Sequence, residues 1–194
     1  MPIANFFIVR ILDYIRRETE HDEDDMDMMR YSLQAILWEL EKTVYLAILF
    51  VSLGLGWHFL MVMVVLLTVR PDAGGFHSST VWGCFCWTLL GFSLAIVVLP
   101  WLLPINSLFI LLVGGFSLAI TYIAAPLRSK QMERIAKKDK DKQKKITVTL
   151  VTFIWFLVLF RLQEHFLAPT VLWAIFLQNF QLWIEWLKRQ RELV

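Results

Sequence analysis

Fifty-five consecutive residues, Ala73 to Leu127, contain no Asp, Glu, Lys or Arg. A helix crossing a bilayer needs about 20 apolar residues, so this run alone is long enough for two spans. A second uncharged stretch runs for 27 residues from Thr43 to Val69. Backbone polar groups in lipid must be satisfied within the segment, which leaves helices as the form such runs take. With 58% hydrophobic residues and a mean hydropathy of +0.59, the chain is too apolar for an ordinary soluble domain of its size. The reading is an all-α, polytopic integral membrane protein with about six transmembrane or partly inserted helices. The first residues lack a short apolar core followed by a small-residue cleavage site, so they are not read as a signal peptide.

One membrane domain, 1–194, is expected, and its parts follow from where charge interrupts apolarity. Residues 1–30 form an interfacial amphipathic helix, with Ile3, Phe7, Ile11, Tyr14 and Ile15 at helical spacing, and then an acidic linker. Residues 31–69 hold the first helices: one from about Ser32 to Leu53, divided by Gly54-Leu55-Gly56 from a short, partial span from Trp57 to Val69. A loop covers 70–78. Residues 79–124 supply spans from about Ser79 to Leu99 and from Ile105 to Ala124, with Pro100 and Pro104 marking the turn between them. A basic loop fills 125–145. Residues 146–187 form a hairpin, Ile146 to Phe160 and Phe166 to Ile184.

Charge is segregated along the chain. Eight acids lie between Asp13 and Asp27, whereas Arg128 to Lys145 holds nine Lys/Arg against three acids. Under the positive-inside rule this basic loop and the C-terminal Lys188 to Arg191 are cytoplasmic. Six crossings would also put the segment Arg70 to His77 on that side. The basic residues fit a loop beside a bilayer, and no nucleic-acid partner is expected.

Chemistry concentrates between Arg70 and Thr88, RPDAGGFHSSTVWGCFCWT. A cysteine is a good nucleophile as its thiolate, which an imidazole or a helix N-terminus favours. In one continuous helix His77 and Cys84 would lie about 10 Å apart along the axis, beyond hydrogen-bond reach. Joint action therefore requires a helix that starts after His77, capped by Ser78, Ser79 or Thr80, with Gly74-Gly75 letting the histidine fold back. Cys86 is two residues from Cys84, a helical step that points it elsewhere. The bland alternative is a packing cysteine and an interfacial histidine. His77, Cys84 and Cys86 lack a regular ligand spacing and a fourth donor, so no metal is expected, and no cofactor.

The pattern Arg70-x-x-x-Gly74-Gly75-x-His77, followed after six residues by Cys84, resembles the active-site signature of the accessory gene regulator B (AgrB) family, bacterial membrane cysteine endopeptidases. Tyr31-Ser32-Leu33 resembles the family's Tyr-Gly-Leu before the first span. Ala125-Pro126 and Lys130 resemble its Ala-Pro and Lys at the basic loop. Ser78 and Thr88 depart from the usual Ala and Ser, and Lys130 lacks the Pro that usually follows it.

The resemblance implies a multi-pass protein of the bacterial cytoplasmic membrane, a homodimer, that cuts an AgrD-type precursor peptide on the cytoplasmic side. Cys84 would be the nucleophile and His77 the general base and acid, with Gly74 and Gly75 supporting the loop and the oxyanion. Arg70, Ser78 and Thr88 are candidate substrate contacts. Arg128, Lys130, Arg134, Lys137 and Lys138 are candidates for binding the precursor's acidic C-terminal tail; their alternative role is to set topology. Outside enzymes, the competing readings are a membrane scaffold or sensor and a small peptide transporter.

Overall fold

The computed structural model describes residues 2–18, 23–74, 80–103, 105–127 and 138–192. All regular structure among them is helical, and the chain divides into two compact units, Met1–Gly54 and Leu55–Val194.

In the first unit α1, Pro2–Glu18, packs on α2, Glu23–Ser52. The amphipathic helix expected here forms, but apolar residues occupy more than one of its faces. Ile8 is buried, and Leu12 and Ile15 face Met29, Leu33 and Ile36 of α2 across a shallow groove, while Phe7 and Tyr14 point outward. Three charges interrupt the apolar part of α2, and each has a local partner: Lys42 pairs with Glu39, and the Tyr45 hydroxyl donates to Glu41 at 2.9 Å. Local pairing is what permits charges in a helix of this apolarity. The helix ends at Gly54, which takes a positive φ of 74°.

The second unit contains α3 (Gly56–Ala73), α4 (Val81–Ser93), a π-helical segment (Leu94–Val98), α5 (Leu99–Leu102), α6 (Ser107–Ala124), α7 (Lys138–Arg161) and α8 (Ala168–Glu192). Among the described residues four stretches are long and apolar enough to cross a membrane: Gly56–Ala73, Trp82–Leu102, Ser107–Ala124 and Asp141–Arg161. An 18-residue helix is about 27 Å long, close to the ~30 Å of a hydrocarbon core. The chain direction puts Trp57, Trp101 and Phe166 at one end of these helices, and Trp82 and Tyr122 at the other; all five are exposed. Two aromatic girdles flanking exposed aliphatic side chains such as Leu67 and Leu112 are the surface a bilayer selects.

Several boundaries differ from the sequence reading. The acidic stretch is not linker throughout: α2 begins at Glu23, nine residues before the start expected at Ser32. The second helix is not a thin span of 57–69 but runs to Ala73, so Arg70, Pro71 and Asp72 are its last turn and not the start of a loop. Asp72 is held there by Lys144 of α7 at 3.9 Å. Pro100 is not at a turn: the helix continues to Leu102, and the π-helical segment before it, closed by Leu99 N–H on the Leu94 carbonyl, accommodates a residue that cannot donate to the preceding turn. At the hairpin, α7 begins eight residues before Ile146, with the Lys145 ammonium 4.4 Å above the Tyr122 ring, and α8 continues past Ile184 to Glu192.

The last helix, α8, is the axis of this unit and packs against α3, α6 and the π-helical segment. Leu172, Trp173, Ala174, Ile175, Asn179 and Leu182 on it are buried. Asn179 Oδ1 accepts from the Thr121 hydroxyl of α6 at 2.7 Å, and Trp155 of α7 donates to Thr68 of α3 at 2.9 Å. Such interhelical bonds contribute roughly 0.6–1.7 kcal/mol each in a membrane bundle. Gly114 lies beneath the Phe156 ring, which a Cβ would strike, so this glycine serves helix packing within the chain; Gly115 next to it faces open space.

Candidate active site

The break that the His77–Cys84 pair requires is present: α3 ends at Ala73 and α4 begins at Val81. Gly74 closes α3 with φ 82° and ψ −171°, and its N–H donates to the Arg70 carbonyl at 2.9 Å. That combination of angles is essentially restricted to glycine. The backbone is crowded as well, because a Cβ on Gly74 would collide with the Leu127 carbonyl. Leu127 is placed there by its own N–H, which donates to the Ala73 carbonyl at 2.9 Å. The start of the basic loop is thereby fastened to the end of α3.

Thr80 caps α4 from an extended conformation, its hydroxyl accepting from the Gly83 N–H at 3.1 Å. Cys84 is the fourth residue of the helix. Its N–H donates to the Thr80 carbonyl at 3.0 Å, and its own carbonyl accepts from the Thr88 hydroxyl at 2.8 Å. The sulfur thus sits at the start of the second turn of α4, close to the helix N-terminus. Replacing Thr80 by alanine is expected to cost ~1 kcal/mol of helix stability. The check is a lower unfolding temperature in detergent.

Cys84 is half-buried and opens onto a narrow cleft of about 50 Å³, whereas Cys86 is exposed. Four elements build the cleft. Helix α3 contributes Val62, Leu66 and Arg70; α4 contributes Cys84, Trp87, Thr88, Gly91 and Phe92; the π-helical segment contributes Ala95; α8 contributes Ala174, Leu177, Gln178 and Gln181. The result is an apolar trough with a thiol, a guanidinium, a hydroxyl and two amides along its length. A peptide segment with apolar side chains and unpaired amides is the kind of ligand such a lining suits.

Of the residues singled out in the sequence, Arg70, Cys84 and Thr88 come together on this cleft, and Gly74 caps α3 with its carbonyl accepting from Gln178 of the cleft lining. Gly75, His77, Ser78, Arg128, Lys130, Arg134 and Lys137 lie outside the described residues, as does the side chain of Lys138 at the start of α7. His58 and His165 flank Phe166 at the opposite end of the helices, with ring centroids 5.7 and 4.7 Å from it. Neither serves the thiol. Sequence reasoning passed over Gln178 and Gln181. Their signal was the run Gln178-Asn179-Phe180-Gln181, three amides in an otherwise apolar segment.

The chain is 28% identical over 157 residues to a Putative AgrB-like protein of Clostridium beijerinckii, covering 81% of this chain and 76% of that one. It is 20% identical over 173 residues to Putative AgrB-like protein 1 of Clostridium perfringens (strain 13 / Type A), covering 89% and 92%. No solved structure matches it. The family model described as Accessory gene regulator B (AgrB) matches residues 8–182, nearly the whole cleft-bearing chain, and the protein belongs to that family.

Proposed function

We propose that this protein is a membrane cysteine endopeptidase that trims and cyclises a quorum-sensing precursor peptide. The observation that carries the reading is the position of Cys84 in the second turn of α4, opening onto a cleft that Arg70 and Thr88 also line. Membership of the AgrB family supports the biological setting.

In this reaction the Cys84 sulfur attacks the carbonyl carbon at the end of the signal sequence after His77 takes the thiol proton. The C–N bond breaks as His77 returns that proton to the departing amine, and the acidic tail leaves. The signal portion stays on Cys84 as a thioester. A cysteine or serine within the peptide then attacks the thioester, giving a thiolactone or lactone and regenerating the thiol. Exchanging an amide for a thioester is uphill, so water has to be kept from the intermediate; an apolar cleft at the membrane surface serves this. Backbone N–H groups at the start of α4 or near Gly74-Gly75 are the candidates for stabilising the oxyanion.

The cleft's rim, the start of α7 and the basic C-terminal turns of α8 share one end of the helices, and the positive-inside rule assigns that end to the cytoplasm. Lys144 and Lys145 have partners in Asp72 and the Tyr122 ring; the tail-binding role is proposed for Arg128, Lys130, Arg134, Lys137 and Lys138. Exchanging several of these five for glutamine is expected to raise KM severalfold in a salt-dependent way with kcat little changed. A topological role alone would leave the kinetics of correctly inserted protein untouched. The protein is proposed to work as a homodimer, which mass measurement in a mild detergent checks.

The reading itself is tested by co-expressing a candidate AgrD-type precursor peptide. The wild type should release a tail-less, cyclised product, and His77→Ala should release none. A precursor left intact by wild type would leave the scaffold or transporter readings standing.

A further inference from the structure

Gly91 of α4 and Gln181 of α8 line the same cleft as Cys84, and neither has a part in the reaction steps given above. Glycine weakens a helix relative to alanine, so a glycine inside α4 calls for a reason. Packing does not supply one. Outside the adjoining helix backbone, a Cβ on Gly91 would find a single described neighbour within 4 Å, Gln181 Nε2 at 3.8 Å. Gly114, by contrast, is required by the Phe156 ring above it. The two cleft amides of α8 also differ. Gln178 donates to the Gly74 carbonyl, whereas Gln181 is half-buried and its amide has no hydrogen-bond partner among the described residues. An amide with donor and acceptor both free, set opposite a helix position without a side chain, suits the close approach of a ligand's main chain.

We propose that Gly91 and Gln181 form a subsite for the signal portion of the precursor, in which the Gln181 amide pairs with a main-chain peptide group about three residues before the scissile bond. This rests on the assignment of Cys84 as the acyl-carrying nucleophile. The register follows from lengths. Gly91 lies seven residues beyond Cys84 on α4, and the two share a face of the helix about 10 Å apart along its axis. An extended peptide covers ~3.3–3.6 Å per residue, so a chain tethered to the sulfur reaches Gly91 with its third residue. Once the tail has left, the signal portion is the part still bonded to Cys84, and the cleft around the sulfur is where it has to lie. A peptide N–H and C=O drawn into an apolar cleft cost free energy unless they are paired. The carboxamide of Gln181 offers one partner for each. The cleft is narrow, and a side chain at position 91 would stand between that amide and the peptide.

The test uses the full-length protein in mild detergent with Cys86 replaced by serine, a synthetic AgrD-type precursor peptide, and a series of the same peptide in which an ester replaces the amide at the second, third or fourth residue before the scissile bond. Gln181→Leu and Gln181→Met keep the volume and remove both hydrogen-bonding groups; each is expected to raise KM for the all-amide peptide about 10-fold with kcat within about twofold. Gly91→Val should raise KM at least as much. Alkylation of Cys84 by iodoacetamide, a reagent too small to need the subsite, should run at the parent rate in all three. One ester of the series should cost the parent a similar factor in KM and cost Gln181→Leu almost nothing, because the bond it removes is already gone. Parent KM in the Gln181 variants or in Gly91→Val would overturn the proposal, as would esters that penalise parent and variant equally, or slowed alkylation of Cys84, which would make these residues supports of the thiol. Failure of both Gln181 variants to fold would assign the residue to bundle packing and overturn it as well. A precursor left intact by the parent, or cleaved by Cys84→Ala, would instead remove the reading on which the proposal rests.

Discussion

Replacing Cys84 by alanine is expected to abolish precursor cleavage, a loss on the order of 10⁴-fold or more, while membrane insertion and helix content stay as in the wild type. The side chain is half-buried on an open cleft and fills no tightly packed space, so the stability penalty of losing the sulfur is small. Serine at this position is expected to fare little better, because the hydroxyl is a poorer nucleophile than a thiol paired with imidazole. His77→Ala should cost on the order of 10²–10⁴-fold. The double variant should be no worse than Cys84→Ala alone, since a base without its nucleophile has nothing to activate. Cys86→Ser should retain near wild-type rate, as its exposed thiol does not line the cleft. Product mass after co-expression reads all five.

Gly74→Ala is expected to be the most damaging substitution that touches neither reacting group. Alanine at φ 82°, ψ −171° carries about 1–3 kcal/mol of backbone strain before any contact is counted. Its Cβ would also meet the Leu127 carbonyl, so either the glycine backbone or the 125–127 segment must move. Whichever yields, the bond from Leu127 to Ala73 or the bond from Gln178 to Gly74 is lost or lengthened. Cleavage should fall at least 100-fold, and the unfolding midpoint should drop together with it. A variant with normal activity would show that the crowding at this turn has no bearing on catalysis.

The helical bundle and its main breaks could be read from the sequence because uncharged runs and paired glycines dominate it. The start of α4 was legible for the same reason, since three hydroxyl residues before an apolar run mark a cap, and Thr80 fills that role. The end of α3 was not legible. Arg70, Pro71 and Asp72 have the composition of a loop, and they stay helical through a distant partner, Lys144, that no local pattern announces. Pro100 misled in a similar way, because a π-helical turn absorbs it without ending the helix. Arg70, Cys84 and Thr88, which line one side of the cleft, lie close together within one segment of the sequence. The far wall of the cleft was not legible, since Gln178 and Gln181 meet Cys84 only once α8 takes its place at the centre of the unit.

The most direct test of the account is the mass of the enzyme itself during turnover. The Cys86→Ser protein, mixed with synthetic precursor and quenched in acid, should gain the mass of the tail-less signal peptide on the fragment that contains Cys84. Hydroxylamine should remove that mass, as it does a thioester. Tail release with no adduct on Cys84 at any time of quenching, or an adduct that persists in Cys84→Ala, would contradict the account.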